Sequence, residues 1–98
     1  MSEFREIRLG DLVIEGPLRT VVRPLDKNEI EMLRDSIIKD GFTQPIIVWK
    51  RGNRYVVVDG HHRVDIAVEL GLESVPAIVR EFGSLEEAQL AAIRANFA

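Results

Sequence analysis

Two histidines and an arginine stand side by side at His61, His62 and Arg63, directly after Asp59-Gly60 and a β-branched run, Val56 to Val58. Four chemistries fit such a cluster: metal binding, an acid–base pair, anion binding, or simply a helix start. A metal site wants histidines at helical spacing such as i, i+4, or further ligands nearby. Adjacent residues on a helix diverge by about 100°, so His61 and His62 do not converge on one ion. Asp59 with a histidine, His61 above all, would make an acid–base pair if the protein is an enzyme. The plainest reading makes Asp59 a helix cap, His62 a satisfied polar residue and Arg63 part of a solvated face. Anion binding draws the most physical support. Helical periodicity begins at His61 or His62, so Asp59 to Arg63 is a strand-to-helix turn. Gly60 lets the backbone turn tightly and lets a ligand approach. The first N–H groups of the helix are free there, at the positive end of its dipole. Arg63 adds a planar fork suited to phosphate. Three cationic or partly cationic groups at that end repel one another unless an anion sits among them.

The elements that must hold this turn are legible. Residues 6–14, EIRLGDLVI, read as a short strand and a turn. Residues 18–24, LRTVVRP, read as a second extended piece ended by Pro24. Asp26 and Glu29 have capping-box spacing and open a helix, which Gly41 stops. Ile30, Leu33 and Ile37 form its apolar stripe. QPIIVWK and RYVVVD are strands joined by a hairpin turn at Arg51-Gly52-Asn53. From Gly60 a helix runs to Gly71, with Val64, Ala67, Val68 and Leu70 on its buried side. SVPAIVRE is another strand. Ser84 and Glu87 have capping-box spacing and open a last helix running towards Phe97. Strands mixed with helices in 98 residues predict one compact α+β domain: a small mixed sheet flanked by about three helices.

Composition removes several classes. The absence of cysteine eliminates disulfides, thiolate metal sites and thiol nucleophiles. A net charge of −3 argues against a dominant nucleic-acid surface. No apolar run reaches the roughly 20 residues of a membrane span, and the start, MSEFREIRLG, has no apolar signal region, so a cytoplasmic protein without membrane partners is expected. Trp49, at a strand end, reads as half-buried packing rather than a base-stacking platform. Arg19, Arg23, Arg51 and Arg54 are candidates for a basic rim, Arg23 foremost because it precedes Pro24 at the mouth of the first helix.

Taken in order, VVRPLDKNEIEMLRDSIIKDGFTQPIIV and YVVVDGHHRVDIAVELGLESVPAIV resemble the ParB/sulfiredoxin superfamily over nearly the whole chain. The resemblance implies a small sheet with helices around it and a nucleotide-phosphate site at the box. Sulfiredoxins carry a cysteine in that box. His61 occupies its position, which excludes sulfiredoxin chemistry. Their phosphate-binding His-Arg pair corresponds to His62 and Arg63, their RPL arginine to Arg23, and a hydroxyl residue on their helix to Ser36. Their helix-start lysine is replaced by Glu29.

The archaeal ADP-dependent serine kinase type resembles this chain in the DGHHR box itself. The position of its proposed glutamate base is Arg23, unless a loop shift brings Glu15 near. Without such a base only Asp59 or a histidine remains as proton acceptor. ParB-type partition and nucleoid-occlusion domains bind CTP phosphates with a GERR box, of which Arg63 is kept while His61 and His62 replace the preceding pair. Gln44, Pro45 and Ile46 resemble their segment beside the base and phosphates, and Asn96 matches the start of a following stretch. A DNA-reading region would follow in a full partition protein, so residues 1–98 are expected to be that domain truncated before it.

The resemblance thus implies a nucleotide (ATP, ADP or CTP) with Mg²⁺, its phosphates on Gly60, His61, His62 and Arg63. Arg23, Ser36, Gln44 and Pro45 would form the opposite wall, and Glu29 or Asp59 would reach the Mg²⁺. The leading expectation is a regulatory nucleotide-binding module of a partition or gene-regulatory protein, able to self-associate or contact a partner protein and touching DNA only through other regions. The alternatives are a small nucleotide-dependent phosphotransferase, or an interaction domain whose site has degenerated.

Overall fold

The computed structural model describes residues 2–96. A five-stranded mixed sheet has the spatial order β1-β5-β3-β4-β2. Strand β1 (Glu3–Arg8) runs antiparallel to β5 (Ser74–Arg80), and β5 runs parallel to β3 (Ile46–Arg51). Strands β3 and β4 (Arg54–Asp59) form the expected hairpin, and β2 (Leu12–Val13) lies parallel to β4. The segment read as one strand and a turn therefore holds two strands. A short 3-10 turn at Leu9–Asp11 separates them, and they lie on opposite edges of the sheet.

Among the described residues four helices pack around the sheet, where about three were expected. The additional one, α1 (Gly16–Arg19), falls where an extended piece was predicted. Its signal was Pro17, which sits at the start of the helix, where a missing N–H costs nothing. The β-branched pair Val21-Val22 had suggested a strand, yet it follows the helix as turn and bend. The other three are α2 (Lys27–Asp40), α3 (His61–Glu69) and α4 (Leu85–Asn96). Helix α2 has the full capping box: Asp26 Oδ1 accepts from Glu29 N at 2.8 Å, and the Asp26 N–H donates to Glu29 Oε1 at 3.2 Å. At α4 the cap differs in one partner. Glu87 N donates to Ser84 Oγ, but the Glu87 carboxylate reaches back to Gly83 N at 2.7 Å. Phe97 lies outside the described residues.

Strand β4 is buried on both faces, which is why Tyr55 to Val58 reads as a continuous apolar run. On one face Val57 joins Ile46, Val48, Val75 and Ala77 from the sheet with Val64 and Ala67 of α3. On the other, Val56 and Val58 pack on Leu18 of α1 and on Ala88 and Ala92 of α4. Each fully buried Val, Leu or Ile side chain contributes about 1.5–3 kcal/mol. The expected inner face of α3 needs one correction. Ile66 is buried, whereas Val68 is 62% exposed and Leu70 is half-buried. The helix meets the sheet through positions 64 and 67, and position 68 rotates outward.

Candidate functional site

The DGHHR turn connects β4 to α3, and Gly60 is its hinge. Gly60 adopts φ 103°, a left-handed conformation, and acts as the N-cap of α3 without any side-chain cap. Asp59 is therefore not the cap. A Cβ on Gly60 would lie 2.5 Å from Ile46 Cγ2 and 2.9 Å from Ile46 Cβ. Backbone conformation and space both demand glycine here.

A cleft of about 360 Å³ opens in front of this turn. Asp59, Gly60, His61, His62 and Arg63 form one side. Val22, Arg23, Leu25, Leu33 and Gln44 face them, and Ala92, Ala95 and Asn96 of α4, with Val58, complete the lining. Six of the phosphate-site residues expected from the sequence thus share one cavity: Gly60, His61, His62, Arg63, Arg23 and Gln44. Ser36 and Pro45 do not line it. Ser36 sits half-buried within α2 and Pro45 half-buried just before β3. The α4 contribution was legible only at Asn96, because small alanines carry no chemical signal.

The charges are arranged tightly. Arg63 donates to Gln44 Oε1 at 3.0 Å. His62 Nε2 lies 2.8 Å from the carbonyl oxygen of Arg23, so that nitrogen carries a proton and donates. Arg23 pairs with Glu29 at 3.2 Å. Glu29 also closes the capping box and does not line the cleft, which leaves Asp59 as the one carboxylate among the lining residues. Among the described residues no group of three or more metal-ligating side chains occurs.

His61 behaves differently from its neighbour. Its side chain is 1% exposed, and neither ring nitrogen has a hydrogen-bond partner. Burial, reinforced by the nearby Arg19 charge, pushes its pKa down to about 4, although Asp65 opposes the shift. The imidazole is therefore neutral at pH 7. Part of the cation repulsion expected at this helix end is removed by burying one histidine uncharged, without an anion.

The expected basic rim disperses. Arg19 pairs with Asp65 at 2.7 Å. Arg51 stacks over Trp49 at 4.6 Å and lies 3.6 Å from Glu15. Arg51 and Arg54 flank the hairpin turn at the far end of β4, about 17 Å from Asp59 at strand spacing. Of the four arginines only Arg23 lines the cleft. Glu15, engaged at the start of α1, does not. Trp49 packs edge-on against Phe82 with ring centroids 5.8 Å apart, in keeping with a packing role.

The family model described as ParB N-terminal domain matches residues 2–96. The chain belongs to the ParB N-terminal domain family. It is 37% identical over 68 residues to a nucleoid occlusion protein of Halalkalibacterium halodurans, covering 69% of this chain and 24% of the relative. It is 34% identical over 93 residues to the nucleoid occlusion protein of Shouchella clausii, covering 94% and 32%. The chain thus spans a third or less of these relatives' length. Among solved structures, the C-terminally truncated chromosome-partitioning protein ParB of Caulobacter crescentus complexed with CTP-γ-S superposes with TM-score 0.80 at 29% identity, covering 96% of this chain and 52% of that one. Sulfiredoxin from Arabidopsis thaliana gives 0.68 at 25% identity, with 98% of both chains covered. A free serine kinase in complex with AMP gives 0.64 at 25% identity, covering 84% and 32%. The ParB/sulfiredoxin architecture expected from the motifs is the architecture observed.

Proposed function

We propose that the cleft binds a nucleotide by its phosphates and that the domain serves as a regulatory module of a partition or gene-regulatory protein. One observation carries this reading. The glycine-locked start of α3 opens into a cavity of ligand size, about 360 Å³, whose lining includes both Arg63 and Arg23. The free N–H groups of the α3 first turn and the Arg63 fork suit phosphate oxygens. The nucleotide complexes of the Caulobacter ParB and the free serine kinase support the same reading.

Mg²⁺ bound with the nucleotide would neutralise phosphate charge. Asp59, free of the capping and ion-pair duties that occupy Glu29, is the side chain that would help hold it. Phosphotransfer draws less support, because no carboxylate other than Asp59 lines the cleft to accept a proton. Self-association or docking to a partner protein belongs to the same proposal, with DNA contacts made by other regions. A cytoplasmic location follows from the nucleotide supply.

The test is a thermal-shift panel of ADP, ATP, CTP and GTP, each with and without Mg²⁺, on the wild type and Arg63→Ala. At least one nucleotide should raise the melting temperature of the wild type, and the variant should respond less. A flat panel refutes the phosphate site, and an unaltered response of the variant removes Arg63 from it.

A further inference from the structure

His62 and Arg63 are adjacent, and their side chains leave α3 in different directions. Each ends on a different segment of the chain across the cleft. Arg63 reaches Gln44, in the loop before β3. His62 reaches the backbone carbonyl of Arg23, in the segment between α1 and α2. That segment is unusual. From Glu15 to Val22 the backbone hydrogen bonds outside regular elements stay local: Leu18 and Arg19 N to Glu15 O, Thr20 N to Gly16 O, and Val22 N to Arg19 O. Its polar ties to the rest of the domain come from side chains instead. Gln89 and Asn96 of α4 donate to the Pro17 and Val21 carbonyls at 2.9 and 2.8 Å, and Asp65 of α3 pairs with Arg19. Arg51 lies 3.6 Å from Glu15, the Arg23 guanidinium pairs with Glu29 of α2 at 3.2 Å, and His62 supplies the tie to the Arg23 backbone.

We infer that His62 is a positioning residue: it sets Arg23 for the bound phosphates through the Arg23 carbonyl and does not contact them itself. The inference rests on the nucleotide reading above and assigns the two residues of the His-Arg pair different work. Nε2 is spent on the Arg23 carbonyl, and it donates in both the neutral and the protonated imidazole. The tie therefore does not depend on the charge of His62, and Nε2 is unavailable as a base. A side chain with a donor at the same reach replaces it; a ring without one does not.

The experiment is a double-mutant cycle on the full chain, with MgCTP and MgADP as probes in titration calorimetry. His62→Phe should weaken binding about tenfold, the scale of one lost positioning hydrogen bond. In an Arg23→Ala background the same change should have almost no further effect. His62→Gln, which keeps an N–H donor at comparable length, should restore most of the affinity. Amide exchange in residues 18–23 should quicken in His62→Phe and stay near wild type in His62→Gln. Losses that multiply across the cycle overturn the inference, because they mean that His62 touches the ligand independently of Arg23. Equal losses for Phe and Gln overturn it too. A wild type that binds neither probe overturns this inference, a flat thermal-shift panel overturns the nucleotide reading beneath it, and binding with multiplicative losses overturns only the inference.

Discussion

Substituting Gly60 separates two costs that usually come mixed. An alanine there would have to hold φ 103° and place its Cβ 2.5 Å from Ile46 Cγ2. The left-handed conformation costs a non-glycine residue about 1–2 kcal/mol. Overpacking against a fully buried isoleucine adds about 1–3 kcal/mol. Gly60→Ala should therefore destabilise the domain by about 3–4 kcal/mol. Gly71 supplies the internal control. It has φ 70°, and nothing lies within 4 Å of where an alanine methyl would sit, so Gly71→Ala should cost only the conformational part, about 1 kcal/mol. The clash is then measured by pairing Gly60→Ala with Ile46→Ala. Alone, Ile46→Ala should cost about 2–5 kcal/mol as a core cavity. It removes the Cγ2 atom that the new methyl strikes, so the double variant should be more stable than the sum of the singles predicts, by about 1–2 kcal/mol. Urea unfolding with unchanged slope gives all four free energies. Additivity within about 0.5 kcal/mol would refute the close approach of α3 to β3. Equal costs at Gly60 and Gly71 would refute it as well.

Other outcomes follow from the same geometry. The unfolded-state pKa of His61 is near 6.5 and its folded-state value about 4, so between these pH values the unfolded chain binds more protons. Stability should be full above about pH 6.5 and fall as the pH drops through that window, by about 2 kcal/mol between pH 7 and pH 5. Denaturation at the two pH values should show His61→Gln losing that much less than the wild type; an identical loss would mean that His61 does not titrate as a buried neutral group. Asp26→Ala removes the acceptor for Glu29 N and should cost about 1 kcal/mol of stability, read by the same denaturation. The bond from the residue 26 N–H to Glu29 Oε1 is kept, so a variant as stable as the wild type would show that the Asp26 side chain carries no weight.

Local chemistry sufficed for much of this. Asp26 with Glu29, the Gly52-Asn53 turn, the β-branched run of β4 and the Gly60 hinge are encoded by neighbours a few residues apart, and each took its expected form. Failures came where long-range packing decided. Val21-Val22 has strand propensity, but the α1 turn nucleated by Pro17 places Leu18 in the core and leaves no strand for the pair to join. Val68 fits a helical stripe by counting, yet the sheet touches α3 one position earlier. Arg51 and Arg54 looked like partners of Arg23 in composition, and the direction of β4 carries them to its other end.

The DGHHR turn shows the division most clearly. Residue types alone determined that a strand ends at Asp59, that Gly60 turns the chain, and that a helix N-terminus with Arg63 beside it suits an anion. Only the tertiary structure distributed the side chains among tasks. It buried His61 without partners, so that desolvation keeps the ring neutral. It bound His62 to the Arg23 carbonyl and Arg63 to Gln44, two separate segments across the cleft. It left Ser36 and Pro45 out of the cleft and brought in Ala92, Ala95 and Asn96 of α4. The reason is physical: a helix start is set by local backbone preference, but burial and partnership belong to surfaces that the chain brings together from up to 75 residues away, as Asn96 and Val21 are.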